Sequence, residues 1–338
     1  MKSKVDISLV KNINRDLIYK YLLLHPNSTI PEISKVTGLS LPTVTRTINS
    51  SLEIGLISIT DVRGDEKGRK AQCHSFNEDY CKSLLIHIKE SRVFVRIVTL
   101  SGKTIFQQQS PISNENILQK LHNIIAAQFK DFTDIKNICV TFPGHISKGH
   151  VYASHAFPEF NGLNLKKILE DTYNVTACIT DSVKVLVFSG DLYVPDYMNK
   201  MVLFLSFETE DGYGSAVSVN GVAFPGRTGS FGELYRLPIN KQDKNLTDQQ
   251  LYTALTQSMV AVVNPDAIVF YGDSSIDFNA IMDVISCKFF DYAIPEVYFG
   301  NTIIDDNFEA MKNIAFNCTL NSIYSADQGR EIIQTWFN

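Results

Sequence analysis

Three stretches with helical hydrophobic spacing lie in the first 77 residues. The first spans residues 9–24 and ends at His25-Pro26. Its predicted inward positions are Leu9, Ile13, Leu17, Ile18, Tyr21 and Leu22. The second begins at Thr29, because Thr29-Ile30-Pro31-Glu32 fits a capping box with proline in the first turn. Its predicted buried residues are Ile33 and Val36, and Gly38 ends it.

The third stretch is a helix that begins after Ser40 as its N-cap and ends at Gly55. Its predicted inward stripe is Leu41, Val44, Ile48 and Leu52. A helix, a tight glycine turn and a second helix have the spacing of a helix-turn-helix, whose second helix enters the major groove of DNA. Small polar side chains with one arginine and one asparagine suit base edges and phosphates. The predicted DNA-contacting positions on this helix are Ser40, Pro42, Thr43, Thr45, Arg46 and Asn49.

A basic hairpin follows the third helix. Residues 56–62 alternate like a strand, and residues 71–76 can return beside them. The polar tip predicts the wing of a winged helix-turn-helix, with side chains for backbone phosphate at Arg63, Lys67, Arg69 and Lys70. Residues 1–77 hold 11 Lys and Arg against 7 Asp and Glu, whereas residues 78–338 hold 20 against 29. This asymmetry predicts that only the N-terminal segment meets a polyanion.

The rest of the chain alternates strands with helices, which predicts an α/β fold. Strands are expected at residues 85–88, 93–98, 138–142, 175–180 and 201–207, and the one at 138–142 is expected to be buried. Amphipathic helices are expected at residues 114–129 and 163–173.

The composition agrees with a folded, soluble protein. Apolar residues make up 44% and charged residues 20%, which excludes extended disorder. No run of about 18 apolar residues predicts a membrane helix, and the N-terminus lacks the apolar segment of a signal peptide. Six cysteines stand singly, without metal-binding spacing, which indicates reduced intracellular thiols. We expect a cytoplasmic protein.

Four short motifs follow the winged segment in an order that resembles the ROK family. They are Thr141-Phe142-Pro143-Gly144, Ile179-Thr180-Asp181, Gly221-Val222-Ala223-Phe224-Pro225-Gly226 and Gly229-Ser230-Phe231-Gly232-Glu233-Leu234. That family groups bacterial transcriptional repressors, uncharacterised open reading frames and sugar kinases on an actin-like ATPase fold. The resemblance implies a two-lobed, sugar-kinase-like body behind the winged helix-turn-helix. We predict a DNA-binding domain over residues 1–77 and the two lobes over 78–190 and 191–338.

Departures from the family pattern point away from catalysis. Where the kinases have phosphate-cradling turns, this chain has His87-Ile88-Lys89-Glu90-Ser91 and Glu210-Asp211-Gly212-Tyr213-Gly214. Carboxylates there would repel a polyphosphate, so we expect no ATP, no other cofactor and no enzyme activity. Arg236 stands where the family's zinc-binding His is expected, and residues 237–264 hold no cysteine. We therefore expect no bound metal and a body shortened relative to the family.

The family's sugar pocket is partly retained. The resemblance gives Asp181 and Glu233 the role of accepting hydrogen bonds from sugar hydroxyls, which carboxylates do well. Asn161 lies next to the expected position of a third pocket residue, and Arg236 can donate to a hydroxyl or a phosphate. Two alternatives stay open: Asp181 is only a turn residue at the end of a strand, and Glu233 pairs with Arg236.

These features favour a DNA-binding transcriptional regulator, a repressor of carbohydrate-utilisation genes. A homodimer or higher oligomer would place its winged helices on a palindromic operator of double-stranded DNA. A sugar or sugar phosphate in the cleft would alter their placement. One alternative is a sugar kinase with a DNA-binding appendage. Another is a constitutive DNA-binding protein with a vestigial pocket.

Overall fold

The chain is a mixed α/β protein, as the alternating pattern predicts. A computed structural model describes residues 7–64, 70–89, 91–112, 116–208, 212–239, 246–272 and 275–328. In these ranges it contains two five-stranded sheets, a three-stranded sheet and a two-stranded hairpin. None of the described helices is both long enough and apolar enough to cross a membrane.

Residues 7–76 form an N-terminal unit of three helices and a small sheet. The helices are α1 (Ile7–Leu24), α2 (Ile30–Thr37) and α3 (Leu41–Glu53). The strands are β1 (Ser28–Thr29), β2 (Ile57–Gly64) and β3 (Lys70–Phe76). They form an antiparallel sheet in the order β1-β3-β2. The three helices and the hairpin lie where the hydrophobic pattern places them.

The helix boundaries follow the predicted capping residues. The Thr29 hydroxyl accepts from the Glu32 amide, and the Glu32 carboxylate accepts from the Thr29 amide at 2.7 Å, which completes a capping box. Gly38 ends α2 in the left-handed conformation, with φ of 68°. Ser40 caps α3, and its hydroxyl accepts from the Thr43 amide.

Burial in this unit differs from the prediction at four apolar positions. Ile13, Leu17, Val36 and Leu41 are between 44% and 64% exposed, so their prediction as inward residues was wrong. In α1, Ile18 and Leu22 are buried as predicted, and Tyr19 is buried with them. The Tyr19 and Ser51 hydroxyls lie 2.7 Å apart. The apolar stripe of α1 is wider than the face of this helix that packs against α2 and α3. Spacing alone does not show which side of such a stripe meets the neighbouring helices.

The first five-stranded sheet follows the N-terminal unit. Its strands are β4 (Lys82–Lys89), β5 (Arg92–Thr99), β6 (Thr104–Pro111), β7 (Ile135–Phe142) and β10 (Thr176–Asp181), in the order β10-β7-β4-β5-β6. The helices α4 (Ile117–Asp131) and α5 (Leu165–Tyr173) pack on one face. The hairpin of β8 (His145–Ser147) and β9 (His150–Ala153) follows β7.

A 3₁₀ segment, Lys184–Leu192, leads from β10 towards the second five-stranded sheet. The strands of that sheet are β11 (Met201–Glu208), β12 (Gly212–Val219), β13 (Val222–Ala223), β14 (Ala267–Gly272) and β15 (Glu296–Phe299), in the order β13-β12-β11-β14-β15. The helices α6 (Asp248–Val263) and α7 (Phe278–Lys288) cover it.

The last described helix returns to the first sheet. It is α8 (Ile303–Gln328), and its Met311 and Ile314 pack with Leu85 and Cys139 on the face opposite α4 and α5. Further along, Phe316 and Leu320 join the hydrophobic cluster of the N-terminal unit. The predicted boundaries assign α8 to the lobe of residues 191–338, although it contacts all three parts of the chain. The boundaries themselves stay a prediction.

The capping box gives a first testable prediction. We expect Thr29→Ala to lower the free energy of unfolding by about 1 kcal/mol, because the Glu32 amide loses its acceptor. Urea unfolding of the full chain measures this, and Thr29→Ser, which keeps the hydroxyl, is the matched control. Equal midpoints for the two variants would show that the cap does not stabilise the unit.

Candidate functional site

A cleft lies between the two large sheets, at the carboxyl ends of β7 and β10. Its cavity has a volume of about 180 Å³. Pro143 and Gly144 follow β7, Asp181 ends β10, and Gly212 begins β12. Open α/β sheets bind ligands at the carboxyl ends of their parallel strands. The position of the cleft therefore agrees with a binding site.

Asp181 faces this cleft and also organises its floor. One carboxylate oxygen accepts from the amides of Val183 and Lys184 at 2.9 and 3.0 Å, and the other accepts from the Gly144 amide at 3.1 Å. Burial raises the pKa of Asp181, an effect that the Lys184 ammonium and the amide hydrogen bonds oppose and that Glu233 reinforces. The predicted cleft residue is therefore also the turn residue of the alternative interpretation.

Glu233 lines the same cleft and is paired with a lysine. Lys184 Nζ donates to Glu233 Oε1 at 2.8 Å and to the Gly229 carbonyl at 2.9 Å, and the two side chains are only 18% and 13% exposed. The expected alternative pair, Glu233 with Arg236, is not the one the structure forms. Sequence reasoning missed Lys184, whose only signal is its position three residues after Asp181 at the start of a 3₁₀ turn.

A glycine allows Glu233 to reach the cleft. Gly232 has φ of 84°, and a Cβ atom there would lie 2.2 Å from the Ser215 carbonyl oxygen. Ser215 donates to the Gly232 carbonyl from both its amide and its hydroxyl. Residue 232 thus needs both the left-handed conformation and the absence of a side chain, which only glycine supplies.

Asn161 and Arg236, the other two predicted pocket residues, do not line the cavity. Asn161 is exposed, and its side-chain oxygen accepts from the Ser154 amide at 2.6 Å. Arg236 is exposed, stacks on Tyr235 and donates to the Tyr235 hydroxyl at 3.1 Å. The cavity is bordered instead by His145, His155 and Tyr235.

The counterparts of the kinase phosphate turns are only partly described. His87 lies fully buried on β4, where its Nδ1 is 2.9 Å from the Thr141 hydroxyl. Burial, reinforced by Lys89, lowers the pKa of His87 to about 3, so the ring is neutral at physiological pH. Glu90, Glu210 and Asp211 lie outside the described residues. In the described ranges, no group of three His, Cys, Asp or Glu side chains is placed to hold a metal ion.

The outer face of α3 forms a second candidate site. An open groove runs along it, lined by Leu41, Pro42, Thr45, Arg46, Asn49, Ser50 and Glu53. Arg46 and Asn49 are exposed there, whereas Ser40 and Thr43 take part in the N-cap. Lys70 is exposed on β3. Lys67, Arg69 and the side chain of Arg63 lie outside the described part of the chain.

The electrostatics of the cleft give a second prediction. We expect Lys184→Met to raise the pKa of Asp181 further, because the variant removes the cation that opposes the effect of burial. Because folding raises the pKa of Asp181, its protonation adds to the free energy of unfolding. This contribution is largest at pH values below the ordinary carboxyl pKa and is lost as the pH rises through the raised pKa. The variant should therefore shift this loss to higher pH.

Carboxyl-carbon NMR titration of Asp181 measures the shift. Lys167→Met, which removes an exposed lysine of α5, is the matched control. An unchanged Asp181 titration in Lys184→Met would contradict the prediction.

Known proteins resemble this chain in both sequence and fold. The sequence model of the ROK family matches residues 90–247. The xylose repressor of Bacillus subtilis is 21% identical over 242 residues, which cover 70% of this chain and 62% of that protein. The transcriptional dual regulator NagC of Escherichia coli is 22% identical over 245 residues, which cover 69% and 59%. The chain thus spans less than two thirds of the length of these relatives.

Solved structures show the fold. A ROK-family transcriptional regulator, a homologue of the E. coli Mlc protein, matches 94% of this chain and 99% of its own, with a TM-score of 0.74 and 15% identity. The ROK hexokinase of Thermus thermophilus matches 71% of this chain and 99% of its own, with a TM-score of 0.56 and 12% identity. The sugar-kinase-like fold predicted for the body is therefore confirmed.

Proposed function

Since the ROK-family resemblance is confirmed over residues 90–247, we propose that this chain is a DNA-binding transcriptional regulator of carbohydrate-utilisation genes, acting as a repressor. The observation that carries the proposal is the outer face of α3. A capped helix behind a glycine turn presents Arg46 and Asn49 to solvent along an open groove. We interpret residues 7–76 as a winged helix-turn-helix, with α3 as its reading helix and β2–β3 as its wing.

The proposal includes a homodimer in the cytoplasm. Two copies of α3 related by a twofold axis would read the two halves of a palindromic operator. The basic excess of residues 1–77 supports attraction to DNA, and the acidic remainder of the chain keeps the body away from it.

The cleft supports a sugar as effector. Asp181 and Glu233 supply hydrogen-bond acceptors, and Lys184 supplies a donor beside them. A neutral sugar fits two carboxylates and one ammonium better than a sugar phosphate does, because Arg236 lies outside the cavity. The body would thus bind a sugar without phosphorylating it.

One observation favours a second candidate function, a constitutive DNA-binding protein with a vestigial pocket. Lys184 already provides Glu233 with a charged partner, so this carboxylate does not depend on a ligand for a hydrogen bond.

Operator binding by the full chain tests the proposal. Duplexes are selected from a randomised library, and their affinity is then measured with D-xylose, D-glucose or N-acetylglucosamine present and absent. We expect a palindromic consensus and weaker binding with one of these sugars. Selection of a consensus whose affinity no sugar changes supports the constitutive alternative. Failure to select any consensus would contradict the proposal that the chain binds DNA sequence-specifically.

A third prediction concerns catalysis. We expect no ATP-dependent phosphorylation of these sugars, because a buried, neutral His87 and the sequence Glu210-Asp211 stand where the kinases have phosphate-binding turns. A coupled assay of ADP release measures this, and Asp181→Asn is the control for contaminating kinases. Turnover that disappears in Asp181→Asn would show that the body is an enzyme.

A further inference from the structure

The floor of the cleft is held by one turn, residues 181–184. The Asp181 carboxylate accepts the amides of Val183 and Lys184, so the backbone of this turn is fastened to that side chain. A ligand that donates a hydrogen bond to the Asp181 carboxylate therefore also affects the hydrogen bonds that hold this turn. The Ser182 carbonyl, in the middle of the turn, takes no part in these hydrogen bonds and accepts from a different residue.

That partner is Asn307 on α8. Its side-chain amide donates to the Ser182 carbonyl at 2.8 Å and to the Ile303 carbonyl, one helical turn earlier, at 2.9 Å. Asn307 is completely buried, and Ile303 borders the cleft cavity. The first turn of α8 is thus connected to the turn that Asp181 organises. The next residue back, Asp306, accepts from the hydroxyls of Tyr193 and Tyr271 and fixes the same end of the helix to the second lobe.

The middle of α8 packs against the N-terminal unit. Phe316 is nine residues after Asn307, so about 14 Å of helix separates them. The Phe316 ring meets Phe76 edge-on, with 5.2 Å between the ring centroids. Phe316 and Leu320 share one hydrophobic cluster with Val44 and Ile48, which form the inner face of α3. One continuous helix thus contacts the cleft floor at its first turn and, further along, the hydrophobic cluster that contains the inner face of α3.

We propose that α8 transmits a change in the cleft to α3, and that Asn307 is the positioning residue that joins α8 to the cleft floor. A densely packed helix moves as a body, so a shift of the 181–184 turn becomes a shift at Phe316. This inference rests on the proposed function for its biological meaning, and it names the route by which that function is regulated. The coupling itself is a property of the protein without DNA.

Asn313 provides a matched control on the same helix. Its side-chain amide donates to the Phe188 carbonyl at 2.7 Å, within the 3₁₀ segment and away from the cleft turn. Asn307→Leu and Asn313→Leu therefore remove the same kind of hydrogen bond from the same helix. Only Asn307→Leu disconnects α8 from the turn that Asp181 holds.

Hydrogen exchange on the full chain without DNA tests the coupling. Asp181→Ala serves as the perturbation of the cleft, because it removes both oxygens that accept the amides of Gly144, Val183 and Lys184. We expect Asp181→Ala to accelerate exchange of α3 amides about fivefold or more in the wild-type background and in Asn313→Leu. In the Asn307→Leu background this response of α3 should disappear, although exchange at Val183 and Lys184 still rises.

Two results would overturn the inference: an equal response of α3 in the Asn307→Leu background, or no response of α3 to Asp181→Ala in the wild-type background. If Asn307→Leu does not fold, Phe316→Leu breaks the same route at its other end, and its α3 response is then the deciding measurement. Operator binding is measured separately. A chain that binds no operator but shows the coupled exchange contradicts the proposed function and leaves the inference standing.

Discussion

Arg46→Ala and Asn49→Ala are each expected to weaken binding to a selected operator by about 1–3 kcal/mol, roughly 5- to 150-fold. Both side chains are exposed along the groove on α3, where they can make bidentate contacts with base edges. The loss should be smaller on unrelated duplexes, because these variants remove base contacts more than phosphate contacts. Binding isotherms on the selected duplex and on a scrambled duplex measure the difference.

Basic residues of the proposed wing are expected to affect DNA binding differently from Arg46 and Asn49. Lys70→Ala, Lys67→Ala and Arg69→Ala are each expected to weaken binding to all duplexes alike. Each should also reduce the slope of log affinity against log salt concentration by about one, because one phosphate contact is lost. Lys288→Ala, which removes an exposed charge from α7, is the control for net charge. If Arg46→Ala and Asn49→Ala keep the affinity and the sequence preference of the wild type, α3 is not the reading helix.

Phe76→Ala is expected to lower the free energy of unfolding by about 3–5 kcal/mol. The ring is buried at the junction of the N-terminal unit with α8, and its centroid lies 5.7 Å from Tyr19 and 5.2 Å from Phe316. Truncation leaves a cavity among these aromatic side chains and removes both edge-to-face contacts. Operator affinity should also fall, since the same hydrophobic cluster holds α3 in place.

Urea unfolding of the full chain measures the loss. Phe290→Ala is the matched control, because Phe290 is exposed on the surface, and it should change stability by less than about 0.5 kcal/mol. Equal stability losses in the two variants would show that Phe76 does not connect the N-terminal unit to α8.

The features that could be predicted from the sequence are local ones. The caps at Thr29 and Ser40 depend on residues three positions apart, and both lie where the sequence pattern places them. Asp181 and Glu233 were predicted to share one cleft from the family motifs, and both line it. Each of these predictions needs only a short motif, or an order of motifs, to be recognised.

Features that depend on distant contacts could not be predicted. The pairing of Lys184 with Glu233 joins positions 49 residues apart, and no local pattern marks either residue as the partner of the other. Arg236 is only three residues from Glu233, yet its side chain stacks on Tyr235 and donates to the Tyr235 hydroxyl instead. α8 packs against several parts of the chain and therefore lacks a single apolar stripe. The periodicity of its sequence did not predict that it contacts both the first sheet and the N-terminal unit.

The return of α8 to the first sheet also bears on how the chain folds during synthesis. The first lobe, β4 to β10, leaves the ribosome long before the helix that covers one of its faces, and until then Leu85, Cys139 and Cys178 have no helix over them. Contacts between residues so far apart in sequence slow folding and prolong the exposure of apolar surface. We therefore expect nascent chains that stop before residue 303 to be recognised by chaperones and proteases, even though α3 and the cleft floor have already been synthesised.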